Sequence, residues 1–345
     1  MNNILKIMAT YIWLDGAKVQ KLRSKVKIIG AVKSLCDIPP WSFDGSSTYQ
    51  ATGNKSDLAL LPVYYLPDPI LGSPNILVMC EVYNTDGKPH SSNHRNKLQQ
   101  AVKKYPQAKA WFGYEQEFTM YDKRGKWPLG WPVEGYPGAQ GPYYCGVGAN
   151  DVNGRELVDL HTIACMRAGI KICGTNAEVM PSQWEFQIGP LGALEVSDQI
   201  WLARWLLYRL GEDLDISPKL DPKPFPEEDW NGAGCHINFS TAAMRRKGGI
   251  NAIYEAIRKL EGFHKQHIQV YGDGNEERLT GKHETCDINT FKAGIGDRGA
   301  SIRIPLPTVQ NNRGYLEDRR PAANVNPYLG CLALLETVCG NGFKP

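Results

Sequence analysis

The segment Gly113-Tyr114-Glu115-Gln116-Glu117-Phe118 sets two glutamates two positions apart between aromatic residues, and this spacing constrains the chain more than any other. On a β-strand alternate residues share a face, so Glu115 and Glu117 aim both carboxylates into one place. Carboxylates held together resist ionising together unless a cation compensates them. Downstream stand Glu178, Glu185, His236 and Glu317, the last beside Asp318 and two arginines. The set is suited to divalent cations and phosphate.

The chain has 345 residues, 42% hydrophobic and 22% charged, which suits a globular protein of one large or two modest domains with a sizeable core. A net charge of +3 is too small to select nucleic acid or a membrane as partner. Anionic small molecules remain suitable ligands. The first 13 residues carry one lysine and too short an apolar run for a secretory signal, and no stretch approaches the roughly 20 apolar residues of a membrane span. A soluble, cytoplasmic protein is expected. Nine cysteines form no Cys-x-x-Cys pair, and the odd count speaks against a complete disulfide framework. Cys235 beside His236 has no cysteine cluster near it in sequence to make structural zinc.

Short β-rich runs at 11–14, 26–32 and 76–82, separated by Pro/Gly-rich turns, predict a small N-terminal β domain. Helical patterns follow over 92–105, 154–168 with Asn153 as cap, 194–214, 250–271 and 328–338. The strands between them carry most of the unusual polar residues. No internal repeat is present.

Glu178 and Glu185 lie in Asn176-Ala177-Glu178-Val179-Met180-Pro181-Ser182-Gln183-Trp184-Glu185-Phe186-Gln187-Ile188-Gly189-Pro190. On one straight strand they would face opposite ways, but Pro181 favours a turn that returns both to one cavity as a hairpin. Two isolated acids of this kind are commonly solvated. Here Trp184, Phe186 and Ile188 predict a buried segment, where a carboxylate needs a cation or hydrogen-bond donors. His236 follows the glycines of Asn231-Gly232-Ala233-Gly234-Cys235-His236, which let backbone approach a ligand closely, and neutral imidazole is an ordinary metal ligand. Taken alone, such a histidine is more often a hydrogen-bonded core residue.

A cationic group completes the set: Arg298, Arg303, Arg319 and Arg320, with Arg245 and Arg278 upstream. The guanidinium fork matches carboxylate and phosphate oxygens. Single arginines usually make surface ion pairs, but Arg303 stands between Ile302 and Ile304 as if on a half-buried strand. Gly294-x-Gly296-x-x-Gly299 matches a dinucleotide fingerprint literally, yet no clear strand precedes it and residues 301–305 cannot open a helix. There is no P-loop string either, so any nucleotide is held by another architecture.

Together these segments resemble glutamine synthetases, in the shorter type II form. The resemblance covers nearly the whole chain. It runs from Trp41-Ser42-Phe43-Asp44-Gly45-Ser46-Ser47-Thr48 through the Glu-x-Glu strand, Gly141-Pro142-Tyr143-Tyr144-Cys145-Gly146-Val147-Gly148, the glutamate hairpin and the His236 segment. It ends in His283-Glu284-Thr285, Arg298-Gly299-Ala300-Ser301-Ile302-Arg303-Ile304-Pro305 and Tyr315-Leu316-Glu317-Asp318-Arg319-Arg320-Pro321.

The resemblance implies an α+β fold: a small β-grasp domain over 1–91, then a catalytic domain over 92–345 with a curved antiparallel sheet, a half-barrel, backed by helices. It implies ligation of ammonia to L-glutamate at the expense of ATP through γ-glutamyl phosphate. Roughly two or three Mg²⁺ or Mn²⁺ ions would serve each site. By family position Glu115, Glu178 and Glu185 would hold one ion, and Glu117, His236 and Glu317 a second. Asn231, Gly232 and Arg278 would bind glutamate together with Glu185, and Arg298 and Arg319 would meet its carboxylate and the transferring phosphoryl group. Ser240, Arg245 and Arg303 match phosphate-side contacts of ATP, and Trp111, Asn238 and Tyr315 match positions near adenine. Asp44 corresponds to the aspartate that deprotonates ammonium, and Glu284 to the flap that closes over the site. The assembly implied is a homodecamer of two pentameric rings, each active site shared between neighbouring subunits.

The sequence departs from that pattern at Pro305-Leu306-Pro307-Thr308-Val309, where relatives often place a basic residue, and at Met244-Arg245-Arg246-Lys247-Gly248-Gly249, which lacks a common acidic pair. Both bear on nucleotide affinity. A polyamine ligase of the same fold, a guanidino kinase or a non-catalytic structural relative are the alternatives. Asp44, Glu284 and the full set of metal-type residues favour the ammonia ligase.

Overall fold

The alternating apolar pattern of the N-terminal segment folds into a five-stranded sheet ordered β2-β1-β5-β4-β3 in a computed structural model that describes residues 6–132, 141, 143–226 and 229–345. Residues 1–5 of the expected N-terminal domain and Pro142 of the Gly141 motif lie outside the described residues. The strands are β1 (Lys6–Leu14), β2 (Leu22–Gly30), β3 (Trp41–Asp44), β4 (Asp57–Pro67) and β5 (Ile76–Tyr83). β1 and β5 run parallel, and the other pairs are antiparallel. Edge strand β2 carries Lys25 and Lys27, a device that discourages pairing with another sheet edge. β3 and β4 were not expected from sequence, because Pro62 and Pro67 interrupt the β pattern of β4.

A second sheet, eight-stranded among the described residues, holds β6 (Trp111–Asp122), β7 (Ile172–Ala177), β8 (Gln183–Leu191), β9 (Ile216–Lys219), β10 (Cys235–Ser240), β11 (Ala293–Ile295), β12 (Ile302–Ile304) and β13 (Leu316–Asp318). Its order is β11-β12-β13-β10-β6-β8-β7, with β9 also paired to β6. Behind it lie α1 (His94–Lys104), α2 (Arg155–Ala168), α3 (Ala193–Asp213) and α9 (Pro327–Cys339), whose apolar faces share one core with the sheet and with Ile12, Leu14, Leu77 and Met79 of the small sheet. The other face of the small sheet has its own core around Tyr11, Trp13, Phe43 and Val78. The remaining helices are α4 (Ala242–Arg245), α5 (Ile250–Gly262), α6 (His264–Ile268), α7 (Asn275–Arg278) and α8 (Leu306–Gln310).

Buried charge joins the two sheets. Arg95 of α1 donates to Glu81 of β5 at 3.0 Å and, through two nitrogens, to Asp198 of α3 at 2.8 Å each. Tyr328 of α9 donates to the same Asp198 at 2.6 Å.

Two local expectations are corrected. Asn153 does not cap α2: Gly154 is the capping residue, at φ 78°, and no side chain caps the helix. The Asn153 carbonyl accepts the Trp184 indole N–H at 2.8 Å instead. The helix expected over 250–271 breaks at Phe263 into α5 and α6. The break lets His264 and His267 meet Arg320, each at 3.2 Å.

Candidate active site

The register of the large sheet gathers the acids. Across β6 and β10 Glu115 faces His236, across β6 and β8 Glu117 faces Glu185, and across β10 and β13 Asn238 faces Glu317. Pleating sends all of these to one side of the sheet. Glu178 follows β7 directly, and its backbone N–H donates to the Gln183 carbonyl at 2.8 Å, closing the hairpin expected around Pro181.

Ligand atoms of Glu117, Glu178 and Glu185 lie within 4.8 Å of one another, and so do those of Glu115, Glu185 and His236. His236 Nδ1 is 3.6 Å from a Glu115 oxygen and 3.6 Å from a Glu317 oxygen. The pairing implied by family position therefore has Glu115 and Glu117 exchanged. Strand register decides this, since Glu115 is opposite the imidazole and Glu117 opposite Glu185.

Each carboxylate is steadied by a donor that sequence reasoning did not assign to it. Asn238 donates to Glu115 at 2.7 Å, the Gly234 N–H to Glu117 at 2.6 Å, Asn176 to Glu178 at 2.9 Å and Gln187 to Glu185 at 2.7 Å. Arg319 donates to one oxygen of Glu317 at 2.7 Å, and Arg303 binds the other. Gln183, Glu185 and Gln187 sit at alternate positions of β8, so the same period-two rule that paired Glu115 with Glu117 could have found both glutamines.

Burial, followed by repulsion from Glu117, pushes the Glu178 carboxyl up to about 8, and burial with Glu115 and Glu117 pushes Glu185 up to about 9. Glu117 is also raised, by burial above all. Burial, reinforced by Arg319, holds the His236 imidazole well below its ordinary value, so it is neutral and able to donate a lone pair. His236 Nδ1 is buried with no hydrogen-bond partner. A neutral, unpartnered ring nitrogen between two carboxylates, beside acids that resist ionisation, fits a divalent cation.

Two cavities flank this cluster. The smaller, about 130 Å³, is lined by Glu117, Glu178, Asn231, Gly232, Arg278 and Glu284, with His236 and Arg319. Arg278 is buried, which brings its guanidinium down to about 10, and its Nη2 lies 3.1 Å from His236 Nε2. The glycine at 234 is required by crowding: a Cβ there would stand 2.5 Å from Arg278 Nη2 and 2.7 Å from His236 Nε2. The larger cavity, about 400 Å³, is lined by Trp111, Glu115, Asn238, Ser240, Arg245 and Tyr315 among others. The Arg245 guanidinium lies 3.9 Å from the Trp111 ring centre and donates to Ser240 Oγ at 2.9 Å.

Other expected residues stand apart. Asp44 ends β3 at the edge of the small sheet, exposed, and lines neither cavity. Its carboxylate accepts from the Ser46 N–H at 3.0 Å and from the Ser46 and Ser47 hydroxyls at 2.6 Å each, which hold it down at about 2. Arg298 is exposed and lends the cluster only its carbonyl, which accepts from Arg319 at 2.9 Å. Arg303 does not line the larger cavity; it is engaged by Glu317. Asp318 and Arg320 lie on the back of the sheet, bonded to each other at 2.7 Å. His283 and Glu284 both have positive φ, 50° and 58°, a conformation that costs non-glycine residues energy and is found at functional loops.

On the back face Arg204 of α3 is 1% exposed. It donates to Gln116 at 2.9 and 2.5 Å and to the carbonyls of Ala323 and Val325 at 3.1 and 3.0 Å, with Cys235 at 3.9 Å. Among the described residues no carboxylate pairs with it.

Two family models match the chain, glutamine synthetase, beta-Grasp domain, over residues 6–85 and glutamine synthetase, catalytic domain, over residues 91–268. A chloroplastic glutamine synthetase of Chlamydomonas reinhardtii is 55% identical over 341 residues, covering 96% of this chain and 90% of its own. The chain belongs to the glutamine synthetase family. A cytosolic glutamine synthetase isozyme of Arabidopsis thaliana is 50% identical, covering 98% of this chain and 96% of its own length. Family membership makes the chain a glutamate–ammonia ligase, an enzyme of glutamine formation. Among solved structures, a Plasmodium falciparum glutamine synthetase determined by cryo-electron microscopy superposes with a TM-score of 0.76 at 17% identity, covering 96% of this chain and 71% of that one. At that identity the likeness speaks for the fold, which is the expected β-grasp sheet followed by a curved sheet backed by helices, antiparallel as expected except where β11 and β12 pair in parallel.

Proposed function

We propose that the ligation runs in the acidic cluster between the two cavities, with glutamate in the smaller and ATP in the larger. The observation that carries this reading is the position of the acids: Glu117 and His236 line the smaller cavity while Glu115 lines the larger. A group passing between the two ligands crosses the cluster. The first cation position is Glu117, Glu178 and Glu185, and the second is Glu115, His236 and Glu317, with Glu185 near both. Divalent cations held there would neutralise the phosphate oxygens and the charge that develops in transfer.

The chain's own residues do the rest. Arg278, Asn231 and Gly232 hold glutamate. Arg319, anchored by Glu317, meets the acyl phosphate as charge builds, and Arg298 reaches it by swinging in from the exposed loop beside Arg319. Trp111, Tyr315 and Asn238 receive the adenine end of ATP, with Arg245 and Ser240 on its phosphate side and Arg303, held by Glu317, beside the second cation position. Glu284 on its strained loop closes over the smaller cavity and excludes water. Ammonium must lose a proton before it can attack, which requires an anionic base. Asp44, anionic at any physiological pH, is suited to that, but lines neither cavity of its own chain. It therefore serves the site of a neighbouring subunit, in keeping with a cytoplasmic homodecamer of two pentameric rings. A division at residues 91–92 is supported by the family models, one ending at 85 and the next starting at 91.

Purified protein supplied with ATP, Mg²⁺, glutamate and ammonium is expected to release phosphate and glutamine in equal amounts. Phosphate without glutamine, with product restored by another amine, would select the polyamine ligase instead.

A further inference from the structure

We infer that Gln183 is a positioning residue that sets the specificity of the smaller cavity for a substrate bearing an α-ammonium group, by fixing which way the Asn231 amide points. The inference rests on the assignment of that cavity to glutamate.

Main-chain chemistry fixes the geometry. Gln183 is 1% exposed at the first position of β8, two residues before Glu185. Its Nε2 donates to the Gly232 carbonyl at 3.1 Å, and a carbonyl can only accept, so the orientation of the Gln183 amide is set. Its Oε1 must then face Asn231, where it accepts from Nδ2 at 2.5 Å. The Asn231 Nδ2 also donates to the Gly232 carbonyl, at 3.1 Å. Both bonds hold the nitrogen of Asn231 to the protein and leave Oδ1 as its free end. That oxygen is buried and has no partner, in a residue that lines the smaller cavity.

An unpartnered buried acceptor favours a ligand that supplies a donor and disfavours one that leaves it empty. With Arg278 in the same cavity to meet a carboxylate, the chemistry matched is an ammonium group adjacent to a carboxylate, as in an α-amino acid. Without Gln183 the Asn231 nitrogen keeps only its bond to the Gly232 carbonyl, so the amide is held less firmly against a reversal that would present N–H groups to an ammonium with no lone pair for them.

Steady-state kinetics of Gln183→Met test this, with glutarate, which lacks the α-ammonium group, as a competitive probe. The KM for glutamate is expected to rise about tenfold, with kcat and the KM for ATP little changed and glutarate inhibition weakened less than about twofold. Gln183→Glu keeps an acceptor for Asn231 Nδ2, and is expected to show a smaller rise; it also serves if the methionine variant does not fold. An unchanged KM for glutamate, or equal weakening of glutamate and glutarate, overturns the inference. Asn231→Leu separates the two levels. If it raises the KM for glutamate while Gln183→Met does not, only the role of Gln183 fails; if neither variant moves it, the cavity is misassigned.

Discussion

Glu115 and His236 face each other across β6 and β10, with the imidazole Nδ1 3.6 Å from the carboxylate and without a hydrogen-bond partner. Removing that nitrogen by His236→Ala should weaken Mn²⁺ binding at least roughly 100-fold, beyond the effect of losing a residue that merely supports a ligand. Calorimetric titration of the purified protein measures it. Undiminished Mn²⁺ affinity would remove His236 from the cation site.

The raised carboxyls give stability a pH dependence of definite sign. Glu178 and Glu185 keep protons to about 8 and 9 in the folded chain, whereas unfolded glutamates lose them near 4.3. The folded state then binds more protons than the unfolded one, so stability falls as pH rises, by at most about 1.4 kcal/mol per pH unit for each proton. His236 is lowered and acts in the opposite sense only below its unfolded value near 6.5. Melting in EDTA should therefore move to lower temperature between about pH 6.5 and 9, and saturating Mg²⁺ should remove most of the decline. A melting point that rises across this window in EDTA would contradict the protonated cluster.

Asp44→Asn removes the proposed base and leaves both cavities intact. Glutamine formation should drop by roughly 100-fold or more, while the affinity for ATP, followed by Trp111 fluorescence, stays the same. Loss of ATP binding would mean that Asp44 supports the fold of the site rather than the proton transfer.

Arg95 is the sole cation of its buried trio. Arg95→Met leaves Glu81 and Asp198 close together without it, at a cost of ~3–5 kcal/mol. The melting temperature should fall by about 4–7 °C. A shift of a degree or two would show that water reaches the junction between the two sheets.

Much of this was legible in the sequence because it depends on short-range periodicity. Alternation placed Glu115 and Glu117 on one face, Pro181 marked the turn that returns Glu178 towards Glu185, and Ile302 and Ile304 marked Arg303 as half-buried. What escaped depends on pairing between distant strands. Which glutamate of the pair faces His236 is set by β6–β10 register, and no local pattern contains it. Arg320 lies beside Arg319 in the chain, yet strand alternation sends it to the back of the sheet with Asp318. The helix expected over 250–271 ends at Gly262, a poor helix residue that its apolar periodicity masks, and the break coincides with contacts from His264 and His267 to Arg320, some fifty residues away.

Arg204 ties Gln116, Cys235 and the 323–325 segment together behind the strands whose front faces carry Glu115, Glu117 and His236. Positions 116, 204 and 235 are thus not free to drift one at a time, since a change at any of them tilts side chains on the opposite surface. In a set of homologues these three should covary as a block, and the hidden surface of the sheet should diverge as slowly as the one that meets substrate.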